Sequence, residues 1–439
     1  MPILPLGPEA GAVDATPERR RAAERDATLS SCCGVLGEVT LTDSAVIILF
    51  AGMLGAGEML SLLTTSLLPL LNGLCVIPMA WLAARVGAKR LMLRACALAT
   101  DAYFLAVASP FLGNWAAAAL LTTITLFALS LTGFIAGWFP TLDSFLAPER
   151  RGVFLGRMRF FHQLTAVAFL FLVGLAIGKN PPVWKLQAVL LVGAAIFLGR
   201  MLFIARIPVF ATPRRDAPGF KAGLLAAIGN KPLTGFSLYL FVLNLAAYGT
   251  VPLTLLYLKK ALHAPDNVIV IISALALFGL LLGYLGAGWT LKRWGTRDAL
   301  LGFHLCFALV NLSLFFVGGG GAPAYALIAA LLLVYSFAIA AASIVSSSEM
   351  MALAAPGNKT MAMAFCGAFY YGGSGLSRLV ASLVLGAGLL APEWHLGGMR
   401  VCHYQTLFLL YAVAVVFAAA FLVVVPAIFP EKDQVYDMR

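Results

Sequence analysis

Residues 116–139 read AAAALLTTITLFALSLTGFIAGWF, without a single charge. Comparable apolar runs recur at 40–60, 64–84, 91–112, 160–178 and 186–206, and again at 235–257, 267–290, 299–317, 324–347, 361–386 and 402–427. A run of about 20 apolar residues, coiled as a helix, spans the roughly 30 Å of a bilayer's hydrocarbon. The buried strands of a soluble parallel sheet would need runs of only about 4–8 residues. Lipid offers no partner to an open sheet edge, so each run must be helical. The expected fold is an all-α polytopic membrane protein with twelve transmembrane helices. Residues 45–84 are almost continuously apolar, interrupted only by Glu58 and Asn72, and a bend is expected near Ser61–Ser66.

Only 11% of the residues are charged, against about 25% in soluble domains. The formal charge of +11 would suggest nucleic acid in a soluble chain; here its use is orientation, since basic residues mark the inner side of a membrane protein. With the N-terminus inside, most lysines and arginines fall on that side. Lys179, Lys185, Lys259, Lys260 and Arg400 fall outside, and Arg378 lies within a span. This places both termini in the cytoplasm of a multi-pass plasma membrane protein, with a bacterial inner membrane expected. Residues 1–39 mix Glu18, Glu24 and Asp26 with Arg19, Arg20, Arg21 and Arg25 and have no signal-peptide core; they read as a solvated cytoplasmic tail. Residues 40–206 and 235–427 form two helical units, 207–234 a proline-rich cytoplasmic linker, and 428–439 a C-terminal tail. The scattered cysteines show neither metal spacing nor a disulfide framework.

The two units repeat each other. When WLAARVGAKR (81–90) is set on WTLKRWGTRD (289–298) so that Arg85 meets Arg293, Gly87 meets Gly295 and Lys89 meets Arg297. The same offset sets Ala147–Pro148 on Ala355–Pro356 and Arg151 on Lys359, and brings Asp143 close to Glu349. Parallel repeats of this kind occur in secondary transporters. The loops resemble the signature of the major facilitator superfamily between its second and third helices: a glycine, an acid followed by Arg, then Gly and a basic pair. Here Ala80 replaces the first glycine of one copy, Gly288 keeps it in the other, and Ala84 and Lys292 stand where the acid belongs. PERRGVFLGR at 148–157 resembles the loop between the fourth and fifth helices of bacterial members. The resemblance implies two pseudo-symmetric six-helix bundles and a cytoplasmic gating motif of Arg85, Gly87, Lys89, Arg90, Asp143, Arg151, Gly288, Arg293, Gly295, Arg297 and Glu349. In it Arg85 and Arg293 reach carboxylates such as Asp143 and Glu349, or helix C-terminal carbonyls, and latch the inner face. The plainer reading is a set of positive-inside anchors. Gly87 and Gly295 suit a tight loop where a side chain would obstruct close approach.

Polar residues inside the spans are the candidate site. Glu58 and Asp101 are carboxylates in hydrocarbon, which must be paired, neutralised or wetted; each is a candidate for carrying H+ or meeting a cation, or else for structural pairing. Arg378 suits an anionic substrate or a carboxylate partner, unless it snorkels to the surface. Asn244, Asn311 and Tyr248 are placed to hydrogen-bond a solute. His162, Gln163 and His304 fall near the inner ends of their predicted spans. Pro252 should kink the seventh span, and the glycines of 49–58 and 364–375 serve close packing or gating. There is no Walker A pattern, no metal or cofactor motif, and no convergent catalytic group. The expected function is secondary active transport of a small organic solute by alternating access, with membrane lipids, the solute and H+ as partners, by a monomer that binds no nucleic acid. The alternatives are a lipid transporter or scramblase on the same fold, or a non-transporting membrane sensor. The few embedded charges favour a neutral, singly charged or amphipathic solute over a highly charged one.

Overall fold

The computed structural model describes residues 16–146, 150–210, 219–355 and 358–424. Residues 1–15, 211–218 of the linker, the 428–439 tail, Pro148, Pro356 and the side chains of Arg151 and Lys359 lie outside the described residues. The helices are α1 (Pro17–Leu41), α2 (Ala45–Met53), α3 (Glu58–Val86), α4 (Ala88–Ala108), α5 (Ala116–Phe145), α6 (Arg151–Ile177) and α7 (Val183–Arg206). After the linker come α8 (Phe220–Gly229), α9 (Lys231–Ala247), α10 (Thr250–Lys260), α11 (Asp266–Phe316), α12 (Ala322–Leu353) and α13 (Lys359–Gly386). A two-stranded antiparallel hairpin, β1 (Glu393–Leu396) and β2 (Met399–Cys402), precedes α14 (His403–Val424). Among the described residues eight helices are long and apolar enough to cross a membrane, or nine if α1 and α2 form one bent span. This count runs through breaks: Ala88–Phe145 contains Gly113 at φ 54°, and α11 contains Gly295 at φ 74°.

The first span differs from expectation. Residues 17–41 are not a solvated tail; they form a helix packed on α6 and α7. Thr16 caps its start by accepting from the Arg19 amide, and Pro17 takes the first helical position, where its missing N–H costs nothing. Hydropathy hides this helix because Glu24 and Glu38 find partners within the protein rather than in water. Glu24 meets Arg150 at 3.2 Å and Arg157 at 3.9 Å, and Glu38 meets Arg200 at 3.0 Å.

The chain then bends by 43° between α1 and α2. The sequence Thr42-Asp43-Ser44 writes this bend. Thr42 Oγ1 donates to the Glu38 carbonyl at 2.6 Å, closing α1, and Ser44 Oγ accepts from the Val46 amide at 3.2 Å, opening α2. A second turn follows at Leu54–Gly57, with Gly55 at φ 81°. The expected bend at Ser61–Ser66 is instead continuous helix, and Ser61, Thr64, Thr65 and Ser66 satisfy their hydroxyls within it, each on a carbonyl three to five residues back.

In the second unit the corresponding helix is also broken, between α9 and α10 at Tyr248–Gly249. Pro252 is the cause, as expected: it has no N–H to give back to the Tyr248 carbonyl four residues earlier. Thr250, Asn311 and Tyr335 hold this break in place. Thr250 donates to Asn311 at 3.0 Å, and the Tyr335 hydroxyl donates to the Ala247 carbonyl at 2.7 Å.

Gly87 and Gly295, matched by the repeat, both have positive φ, 92° and 74°. A Cβ on Gly295 would meet open space, so there the left-handed turn requires glycine, not close approach.

Candidate functional site between the two halves

Two long seams join the halves, and both lie toward the end carrying the β1–β2 hairpin. In the first, α3 runs against α13. A Cβ on Gly73 would stand 2.6 Å from the backbone of Gly372, and one on Gly375 would stand 2.4 Å from the Leu70 nitrogen. Ser382 closes the seam's far end by donating to the Met59 carbonyl at 2.7 Å. The glycines of 364–375 therefore pack helix on helix, while Gly52 and Gly57 touch nothing. In the second seam Gln163 of α6 donates to the Leu277 carbonyl of α11 at 3.1 Å, and the Asp266 amide donates to the Lys179 carbonyl at 2.9 Å.

Arg378 stands where the first seam meets the two helix breaks. It is 7% exposed, so it does not snorkel. Its Nη1 donates to Asp43 Oδ1 at 2.8 Å and to the Thr65 carbonyl at 2.7 Å; its Nε donates to the Tyr248 carbonyl at 3.2 Å. Both carbonyls are free for the same reason. Pro69 and Pro252 stand four residues after Thr65 and Tyr248, and a proline offers them no N–H. One arginine thus satisfies a carbonyl from each half and neutralises Asp43, whose side chain remains 54% exposed at the α1–α2 break.

A second cluster lies on the first half. Arg200 is 4% exposed and lies 3.8 Å from the Phe134 ring centroid. It reaches Glu38 across Gly34, where a Cβ would stand 2.3 Å from the guanidinium carbon. His162 Nδ1 shares a 2.9 Å hydrogen bond with Ser31 Oγ.

Arg159 lies one turn before His162. Its guanidinium carbon lies 5.6 Å from the ring centroid of Tyr284 of α11, with Tyr370 and Tyr371 of α13 nearby. Tyr371 is also close to Glu38. Arg159 is exposed although it stands about 12 Å along α6 and faces three tyrosines of the other half. Tyr248 and Tyr370 share a hydroxyl–hydroxyl hydrogen bond, and Asn244 Nδ2 donates to the Tyr370 carbonyl at 3.0 Å. With Phe307, Ile339, Ser343 and Ser346 these residues line a small recess.

Of the expected site residues, Arg378, Tyr248 and Asn244 are brought together. Asn311 is fully buried, with its side chain committed to Thr250, Tyr335 and the Phe307 carbonyl, so it braces the α9–α10 break. Glu58 is the first residue of α3 and lies 3.4 Å from His403 at the hairpin end. Asp101 is exposed in line with Leu98 and Leu105, on the face of α4 away from its packing partners α5 and α7. It is not in the site.

At the Gly87 end, Arg85 stacks over Trp81 of its own helix at 3.9 Å, and Arg293 lies 5.9 Å from Trp289 of its own. Neither is in an ion pair among the described residues. Lys89 is the cap: its Nζ donates to the Ala205 carbonyl at 3.0 Å and to that of Ile207, at the end of α7. Arg90, Arg297 and Asp143 are exposed at this end, Gly288 has open space around it, and Glu349 lies near Thr296.

Sequence reasoning missed Glu38, Asp43, Arg159 and Arg200. Arg159 and His162 looked near-cytoplasmic because the predicted span began at 160; α6 begins at Arg151, so both stand about two to three turns inside a helix packed on α1 and α11. The available signal for Asp43 was its setting, flanked by hydroxyl residues inside VTLTDSAVIILF.

No family model and no curated protein sequence matches the chain. Solved structures do. A nucleoside transporter, NupG, superposes with a TM-score of 0.66 at 15% identity over 94% of this chain and 100% of that one. The human organic anion transporter TETRAN gives 0.60 at 17% identity, over 93% and 100%. FucP, a major facilitator superfamily transporter in its outward conformation, gives 0.59 at 13% identity, over 92% and 97%. The chain therefore has the all-helical, polytopic membrane fold of the major facilitator superfamily.

Proposed function

We propose that this protein is a secondary transporter that carries a small organic solute by alternating access between two six-helix halves. In this reading α1–α2 and α3 to α7 supply six crossings. The other six are α9–α10, the two parts of α11 on either side of Gly295, α12, α13 and α14. The carrying observation is the polar site itself. It is built from both halves, at the breaks in their first helices, beneath seams that close the hairpin end while Arg85 and Arg293 stand unlatched at the other. The positive-inside rule assigns the Gly87 end to the cytoplasm, so this is the inward-facing arrangement, in the bacterial inner membrane. The solved neighbours, carriers of nucleosides and organic anions by name, support a small-solute cargo. Asp43 is the carboxylate placed to couple the cycle to protons: it is wetted, and its charge holds Arg378 across the two halves. Neutralising it would loosen the hairpin-end closure.

Purified protein in proteoliposomes tests the reading. Saturable counterflow or accumulation of a solute is expected, and Asp43→Asn should keep counterflow but lose its response to an imposed proton gradient. Lipid equilibration without solute movement would instead make the protein a scramblase.

A further inference from the structure

Among the charged side chains described above, Glu38, Asp43, Arg159, Arg200 and Arg378, four form two pairs. Glu38 is paired with Arg200, and Asp43 with Arg378. Arg159 is in no ion pair among the described residues; its partners are tyrosines. An exposed guanidinium that faces tyrosines of α11 and α13, with no carboxylate in an ion pair with it, leaves one uncompensated positive charge between these helices. There an anion is attracted more strongly than in bulk water. We propose that the transported solute is an organic monoanion whose carboxylate pairs with Arg159. This rests on the transporter reading and names the substrate class of the same site.

The chemistry follows from the lining. The planar guanidinium matches a carboxylate in a two-point, charge-assisted contact. The Tyr284 ring lies 5.6 Å from the guanidinium carbon, and Tyr371 stands near the same guanidinium. The rings of Tyr370 and Tyr371 give a flat apolar body a surface to stack on. A dianion would bring one charge more than the site leaves open, and would meet Glu38 near Tyr371. A cation would face Arg159 directly.

The test uses matched acids and amides: benzoate with benzamide, nicotinate with nicotinamide, and lactate with lactamide, alongside phthalate and benzylamine. Thermal stabilisation of the purified full-length protein and counterflow in proteoliposomes are read for wild type, Arg159→Gln, Arg159→Lys and Tyr284→Phe. At least one monoacid should stabilise the wild type while its amide does not. Arg159→Gln should weaken that acid's binding about 30-fold, the loss of one charge-assisted contact. Arg159→Lys should retain part of it, and all variants should keep wild-type melting without ligand, because Arg159 is exposed. Counterflow of an amide or of benzylamine, equal in wild type and Arg159→Gln, with no acid preferred, overturns the monoanion and leaves the transporter standing. No counterflow of any probe together with lipid equilibration overturns the transporter reading, and the proposal with it.

Discussion

The Arg378 hub offers the sharpest test of how the hairpin end is held shut. Arg378→Gln removes the ion pair with Asp43 and leaves the Thr65 and Tyr248 carbonyls, freed by Pro69 and Pro252, without their donor. A buried acceptor left unpaired costs about 1–3 kcal/mol, and the nearby cavity water puts these two toward the lower end, about 2 kcal/mol together. The pair with half-exposed Asp43 adds less than about 1 kcal/mol. The closed state should lose about 3 kcal/mol, roughly a 100-fold change in its population ratio. A cysteine at buried Ser382, in a background without other cysteines, reports opening through its maleimide labelling rate. Arg378→Gln should raise that rate about 100-fold. Pro69→Ala supplies a new N–H for Thr65, so in that background the same arginine substitution should act about fivefold less strongly, a coupling of about 1 kcal/mol. Strictly additive effects, or an unchanged labelling rate in Arg378→Gln, would refute the shared-carbonyl argument.

Three further outcomes follow from particular contacts. Gly73→Val must push α3 off the Gly372 backbone; it should disfavour the closed hairpin end by about 1–3 kcal/mol, seen as faster labelling at the same cysteine, and an unaltered rate would mean the seam is not tight. Lys89→Ala should lower protein stability by about 1 kcal/mol through the uncapped end of α7 while leaving the transport rate unchanged; a loss of transport at wild-type stability would make Lys89 part of the gate. On the exposed hairpin, the hydrogen bond and charge of Arg400 hold the Glu393 carboxyl below its ordinary value of 4.5. The pairing is thus present above that pH and is lost as pH falls through the lowered value. The protection of amides 394–401, taken relative to their intrinsic exchange rates at each pH, should fall only below pH 4.5, and in Glu393→Gln it should show no such step.

The apolar runs determined the class of the fold, because no other element of that length and composition can satisfy its backbone in lipid. The paired loops around Arg85 and Arg293 gave the repeat, and Gly87 and Gly295 do share a left-handed turn. Pro252 was readable as a break, since the missing N–H is a local fact. The failures share a cause. Hydropathy scores each charge as though water were its partner. Glu24 and Glu38 on α1 find arginines more than a hundred residues away, so a helix packed on α6 and α7 looked like a tail. Asp101 looked central by depth along its helix, yet depth does not say which way a face turns, and packing on α5 and α7 turned it outward. The sequence could also show Arg378 and two prolines. Only the approach of α3, α10 and α13 decided that one guanidinium would satisfy both freed carbonyls, because a partner four residues away is written in the chain and a partner on another helix is not.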